Sequence, residues 1–223
     1  QTKDLVNSGA VCVAYETVTS PLGGLPLLAP MSKVAGRLAV QAGAHSLEQP
    51  NGGLGMLLGG APGVTPAKVT IIGGGVVGTH AAHIAVGMGA NVWVLDRNPD
   101  VLEAHWRQFG RQTNAVYSTQ DALEEHVTTS ELVIGGVLIP GAEAPKLVTR
   151  EMLKGMQKGS VIVDVAIDQG GCFETSHATT HADPTYVVED VVHYCVANMP
   201  GAVPKTSTYA LNNVTLPFAL ALA

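Results

Sequence analysis

Apolar residues along this chain fall into two kinds of run that alternate. Short, continuous, β-branched runs occur at Val69–Ile72, Asn91–Leu95, Ala115–Tyr117, Leu132–Gly135 and Ser160–Val165. Between them lie stretches with apolar residues at helical spacing, at Val76–Met88, Asp100–Phe109, Gln120–Val127 and Thr149–Met156. A short run with no polar alternation predicts a strand buried on both faces. Such strands separated by helices predict a parallel, doubly wound α/β sheet. Thr149 is the expected N-cap of its helix, with Met152 and Met156 turned inward. Two more β-rich stretches follow, Tyr186–Val188 and His193–Val196. A last helical run spans Thr206–Ala223, and Pro217 is expected to bend it.

The part ahead of the first strand is less regular. Ala10–Tyr15 is a candidate buried strand, and residues Pro21–Pro30 form a Pro-, Gly- and Leu-rich loop. Ser32 precedes a helical run over Lys33–Gln49, where Val34, Leu38, Ala42 and Leu47 recur near helical spacing. Small residues (Ala35, Gly36, Ala39, Gly43, Ala44) line the rest, so a helix or a ligand is expected to approach closely. Pro50–Pro66 is turn-rich, with Met56-Leu57-Leu58 available for packing. The chain opens at Gln1 within a helical pattern and closes at Ala223 within another, so both ends are expected to be cuts.

Composition narrows the classes. Of the 223 residues 46% are hydrophobic and only 13% charged, about half the usual charged share, and the mean hydropathy is +0.25. A substantial core and much covered surface follow, as in an oligomer. The net charge of −6 argues against nucleic acid and anionic membranes as partners. No stretch reaches the ~20 apolar residues of a membrane span. Cys12, Cys172 and Cys195 form no CxxC, so reduced cysteines and a cytoplasmic location are expected.

The first strand ends in Gly73-Gly74-Gly75-Val76-Val77-Gly78. Gly73 permits the tight turn, Gly75 lets a pyrophosphate reach bare backbone, and Gly78 lets the helix pack on the strand. The N–H groups of the helix start at Val76 and Val77, with the helix dipole, favour phosphate. Asp96 closes the next strand 18 residues past Gly78, where a carboxylate accepts hydrogen bonds from ribose hydroxyls and repels a 2′-phosphate. Arg97 pulls the other way, since a guanidinium welcomes that phosphate. Asp96 is fixed at the strand end while Arg97 is able to swing to solvent, so a Rossmann-type site for NAD rather than NADP is expected.

Ligands in such sheets lie at the carboxyl ends of strands. The loop Gly136–Gly141 is therefore expected at the nicotinamide half. Asp168 follows the fifth strand in an apolar, glycine-flanked loop, placed either as a proton acceptor or as a loop cap. Asn198 also follows a strand, placed to bind an amide or carboxylate. His177 and His181 are four apart, but no Cys/Asp cluster completes a metal set, so surface histidines and no metal are expected. Cys172 has no visible activating partner as a nucleophile.

Several of these stretches resemble alanine dehydrogenase: Pro30–Arg37, the Gly73–Asp96 unit, Leu138–Gly141, Val163–Gly171 with its Ile-Asp-Gln-Gly-Gly, and Ala197–Pro204. The match runs along essentially the whole chain. Proton-translocating transhydrogenases share the fold and similar motifs but are expected to lack the acid of that Ile-Asp-Gln-Gly-Gly stretch. The resemblance implies reversible NAD-dependent oxidative deamination of L-alanine to pyruvate and ammonia in a homo-oligomer, typically a hexamer. By motif it implies cofactor contacts at Ser32, Asp96, Ser118, Val137, Leu138, Ile167 and Asn198. It makes Asp168 the catalytic carboxylate and puts Met199 near the substrate. It also implies a division into a remnant of a substrate domain (1–30), an NAD-binding domain (31–205) with a connecting helix at 32–49, and a helix returning to the substrate domain (206–223). Arg97 stands where the family has an apolar residue. The family's substrate-binding arginine and lysine and its catalytic histidine lie ahead of Gln1, so a truncated chain, inactive alone, is expected. The alternative is a catalytically incompetent NAD(H)-binding module or a transhydrogenase-like nicotinamide-binding subunit.

Overall fold

A computed structural model describes residues 2–137 and 144–223. Seven strands form one sheet: β1 (Lys68–Ile72), β2 (Asn91–Asp96), β3 (Thr113–Tyr117), β4 (Leu132–Gly135), β5 (Val161–Asp164), β6 (Thr185–Val188) and β7 (Val191–Tyr194). Their order across the sheet is β3-β2-β1-β4-β5-β7-β6. All neighbours are parallel except β6 and β7, which pair antiparallel as a hairpin. The parallel, doubly wound sheet expected from sequence is present, with one antiparallel hairpin added at this edge. Glu189 and Asp190, both at positive φ, make a two-residue connection, and so short a turn joins only antiparallel strands.

The helices are α1 (Thr2–Ser8), α2 (Ala29–Ser46), α3 (Val76–Gly87), α4 (Pro99–Phe109), α5 (Gln120–Thr128), α6 (Arg150–Lys154) and α7 (Pro204–Leu222). Alternate strand residues feed two cores. Val69, Ile71, Val92, Val94, Leu132 and Ile134 face the side built with Leu38, Val40 and Ala81 of α2 and α3. Ile72, Leu95, Val133 and Ile162 face the side built with Leu123, Val127, Met152 and Leu153 of α5 and α6. The sheet is therefore wound on both faces. Among the described residues three α-helices start on a side chain that accepts from a backbone N–H: Asn98 from Asp100, Thr119 from Ala122 and Thr149 from Met152.

The N-terminal part departs from expectation. Residues 10–15 form no strand; Tyr15–Thr17 is a single 3₁₀ turn and Val11 is 93% exposed. β-branched residues make a strand only beside a free edge, and the edges here are β3 and β6. α2 begins four residues before Lys33, with Pro30 in its first turn, and ends at Ser46. Ser32 therefore lies inside the helix. The small residues of α2 do admit a neighbour: a Cβ on Gly36 would stand 2.2 Å from the Val77 carbonyl oxygen of α3. α7 continues as one helix through Pro217. Among the described residues no helix is long and apolar enough to cross a membrane.

His193 on β7 is fully buried. Its Nδ1–H donates to the Val191 carbonyl and its Nε2 faces the Thr175 hydroxyl, each at 2.8 Å. Burial holds its pKa down to about 4, against 6.5 for an ordinary histidine. The unfolded chain takes up this proton first as pH falls, so stability is present above pH 6.5 and drains away toward pH 4. The loss amounts to about 3 kcal/mol at full titration. Half-buried His80, beside Arg37, acts in the same direction, and Asp164, whose pKa burial raises, acts against it. Urea midpoints at pH 7 and 4.5 are expected to differ markedly in the native protein and less in His193→Gln. An unchanged difference in that variant would remove His193 from this account.

Candidate functional site

The turn after β1 separates the roles of its glycines. Gly73 has φ +95°, and a Cβ there would stand 3.0 Å from the Gly136 carbonyl oxygen. On Gly78 a Cβ would meet the Gly73 carbonyl oxygen at 1.9 Å, so α3 starts hard against the strand end. On Gly75 a Cβ would meet no atom within 4 Å. Crowding thus explains two glycines. The third faces open space at the start of α3, where the first N–H groups of a helix have no partner within it.

Asp96 ends β2 beside this turn. Its Oδ2 accepts from Gly74 N–H at 2.7 Å and its Oδ1 from Asn98 N–H at 2.8 Å. Both oxygens are held in place, and each keeps a lone pair for another donor. Arg97 is exposed. Ser118 is tied in through its N–H, which donates to the Asp96 carbonyl at 3.0 Å.

A cavity of about 540 Å³ opens at this edge, within the range of small-molecule sites. Gly73, Gly75, Val76 and Val77 line its floor, with Asp96, Arg97 and Ser118 on one side and Val137 on the other. Ser32 of α2 and Leu28, the residue just ahead of that helix, add to the wall. Gly78 does not border it. Leu138 and the rest of the Ile139–Gly141 loop lie outside the described residues.

The other expected residues lie elsewhere. Ile167 and Asp168 are on the 3₁₀ turn Val165–Gln169 that follows β5, on the same carboxyl edge of the parallel strands. Ile167 is buried and Asp168 exposed. Asn198 is exposed at φ +57°, heading a short turn. Met199 is 3% exposed and packs in the core with Val163 and Val196. None of these four borders the cavity.

Sequence reasoning missed Asp164, which ends β5 and is fully buried. Its Oδ2 accepts from Cys172 N–H at 3.0 Å, Phe173 N–H at 3.5 Å and the Ser176 hydroxyl at 2.6 Å. Its Oδ1 accepts from Ala166 N–H at 3.1 Å. Burial raises its pKa and these donors pull it back. The carboxylate thereby closes the loop that presents Asp168. From outside, the Lys146 ammonium donates to the carbonyls of Gly170 and Phe173. A Cβ on Gly171 (φ +79°) would stand 2.5 Å from Asp164 Oδ2, so the second glycine of Gln169-Gly170-Gly171 leaves room for this carboxylate. The available signal was an acid directly after Val161-Ile162-Val163, since a charge in so apolar a strand demands partners.

Cys172 is buried, and burial with the neighbouring Asp164 pushes its thiol well up, the reverse of activation. His177 stacks on Tyr186 with ring centroids 3.7 Å apart, and His181 Nε2 lies 3.2 Å from the Asn198 carbonyl. Among the described residues no group of three or more His, Cys, Asp and Glu is placed to hold a metal.

Known proteins share this arrangement. Residues 39–223 match the family described as "Alanine dehydrogenase/PNT, C-terminal domain". The chain is 67% identical to an alanine dehydrogenase of Halomonas elongata over 222 residues, covering 100% of this chain and 60% of that protein. A solved L-alanine dehydrogenase superposes with a TM-score of 0.96 at 54% identity, over 99% of this chain and 61% of that one. A transhydrogenase from Sinorhizobium meliloti superposes with a TM-score of 0.72 at 30% identity, over 85% of this chain and 55% of that one. The chain spans about 60% of the length of the curated relatives it matches. With a doubly wound sheet, a glycine turn and matched residues over most of its length, this chain belongs to the alanine dehydrogenase/PNT C-terminal domain family.

Proposed function

We propose that this chain is the NAD-binding part of an L-alanine dehydrogenase. In the reaction, L-alanine, NAD⁺ and water give pyruvate, ammonium, NADH and a proton. The carrying observation is the Asp96 carboxylate, fixed by two backbone N–H groups at the wall of the cavity over Gly75. Identities of 67% and 54% to alanine dehydrogenases, against 30% to a transhydrogenase, favour the amino-acid enzyme.

The residues present fit a dinucleotide. The empty Cβ position of Gly75 admits a pyrophosphate against the N–H groups at the start of α3. Asp96 accepts from the ribose hydroxyls, and Val137 and Ser32 close the walls. NAD⁺ supplies the acceptor for the hydride that leaves the alanine Cα. Asp168 takes up or orients the proton exchanged with water as the amine is replaced. Ile167 and Asn198 toward the cofactor and Met199 near the substrate complete the proposed contacts. In this reading residues 31–205 are the NAD-binding domain, residues 1–30 and 206–223 belong toward the substrate domain, and the assembly is a cytoplasmic hexamer. Turnover needs substrate-binding groups beyond this chain, so the chain alone is expected to bind NADH without oxidising alanine.

Fluorescence titration separates the cofactors. A 2′-phosphate near Asp96 meets repulsion of about 1–4 kcal/mol, so NADH is expected to bind at least about fivefold tighter than NADPH. Equal affinities would show that Arg97 overrides Asp96. Alanine-dependent NADH formation by the isolated chain would overturn the claim that essential groups lie elsewhere.

A further inference from the structure

At the glycine turn, outside the lining of the cavity, α4 brings up a buried histidine. His105 is 2% exposed, and its Nε2 lies 2.8 Å from the Gly74 carbonyl oxygen. A carbonyl only accepts, so Nε2 carries the hydrogen. Thr79 Oγ1 donates to the same oxygen at 3.1 Å and lies 3.2 Å from His105 Nε2, so the three groups form one cluster. A Cβ on Gly74 would stand 2.7 Å from Val101 and 3.1 Å from His105 Nε2, so α4 seats directly against the turn. Phe109, stacked on the His105 ring at 5.4 Å between centroids, holds its plane.

The other ring nitrogen sharpens the point. His105 Nδ1 is buried with no hydrogen-bond partner, which costs free energy. A leucine or methionine would fill this space without that cost. What a histidine adds here is its Nε2–H on the Gly74 carbonyl.

We propose that His105 is a positioning residue for the dinucleotide site. Trans peptides are planar, so the Gly75 N–H points opposite to the Gly74 carbonyl. By anchoring that carbonyl, His105 aims the Gly75 N–H away from itself, toward the pyrophosphate. The peptide on the other side of the Gly74 Cα donates its N–H to Asp96 Oδ2. One glycine thus links the buried ring, the phosphate-facing N–H and the ribose-binding carboxylate. The inference rests on the reading of this turn as the NAD site.

The test compares His105→Met, which removes the donor, with His105→Gln, whose amide keeps one, in the full-length protein. The probes are NADH, ADP-ribose and adenosine. The Met variant is expected to bind NADH and ADP-ribose about tenfold more weakly, a loss of about 1.4 kcal/mol. Adenosine, which lacks the pyrophosphate, is expected to lose much less, and the Gln variant to recover most of the affinity. General loosening of the fold would weaken all three probes alike, and that result would overturn the proposal. So would a Met variant that binds NADH as the native protein does. If the Met variant does not fold, His105→Leu, which also removes the donor and fills similar space, decides instead: unchanged ADP-ribose binding rejects the proposal and selective weakening supports it. A native protein that binds no NADH would defeat the reading of the site itself, which is a different result from a native protein that binds and variants that match it.

Discussion

Asp168→Asn in the full-length enzyme is expected to lower alanine turnover by about 10²–10⁴-fold, the range for removing a general base. NADH affinity should stay within about twofold, since under the proposed function the loss falls on a transition-state role rather than on binding. Asparagine keeps the size of the side chain and one acceptor but takes no proton at working pH. Asp168 stands exposed on the turn after β5, outside the cavity bounded by Gly75, Asp96 and Val137, so cofactor contacts should persist. The turn itself is held by Asp164 and Lys146, so it should keep its shape. Steady-state kinetics, a pH–rate profile and a NADH titration check the three parts. Turnover within about tenfold of the native enzyme would make Asp168 a loop residue and leave the proton transfer to another group.

How well the chain could be read depended on whether a residue's role is local. Gly73 and Gly78 were legible because part of what each answers is local: a positive φ at Gly73 and the Gly73 carbonyl oxygen against Gly78, five residues on. β4 was legible to the residue, because strands buried on both faces leave continuous apolar runs. Ala10–Tyr15 misled for the opposite reason. Its composition suits a strand, but pairing depends on an edge that no local pattern reports. The β6–β7 hairpin was hidden likewise, since two short β-rich runs do not state their relative direction. His105 and Asp164 act across 31 residues and up to 12 residues of sequence, respectively. Nothing next to either of them names its partner.

Asp164→Ala is expected to destabilise the fold by about 3–5 kcal/mol, more than any surface change and as much as a large core truncation. The carboxylate gathers the N–H groups of Ala166, Cys172 and Phe173 and the Ser176 hydroxyl in a fully buried site. Alanine would leave these donors without an acceptor, and each buried, unpaired donor costs about 1–3 kcal/mol. Partial relaxation, and the ability of Ser176 to turn its hydroxyl elsewhere, bring the total below the simple sum. The site also explains why an ionisable acid persists there although burial raises its pKa: four donors converge on two oxygens, and no uncharged side chain of that size accepts as many. Asp164→Asn should therefore lose less than alanine but still lose substantially, since its amide end turns donors against donors. Urea unfolding gives the measure, as a lowered midpoint at an unchanged slope. Loss of Asp164 should also loosen the Asp168 turn, so turnover in the alanine variant should fall even at temperatures where the protein stays folded. A loss under about 1 kcal/mol, the scale of an ordinary substitution, would mean that the loop finds other acceptors and that Asp164 does not hold it.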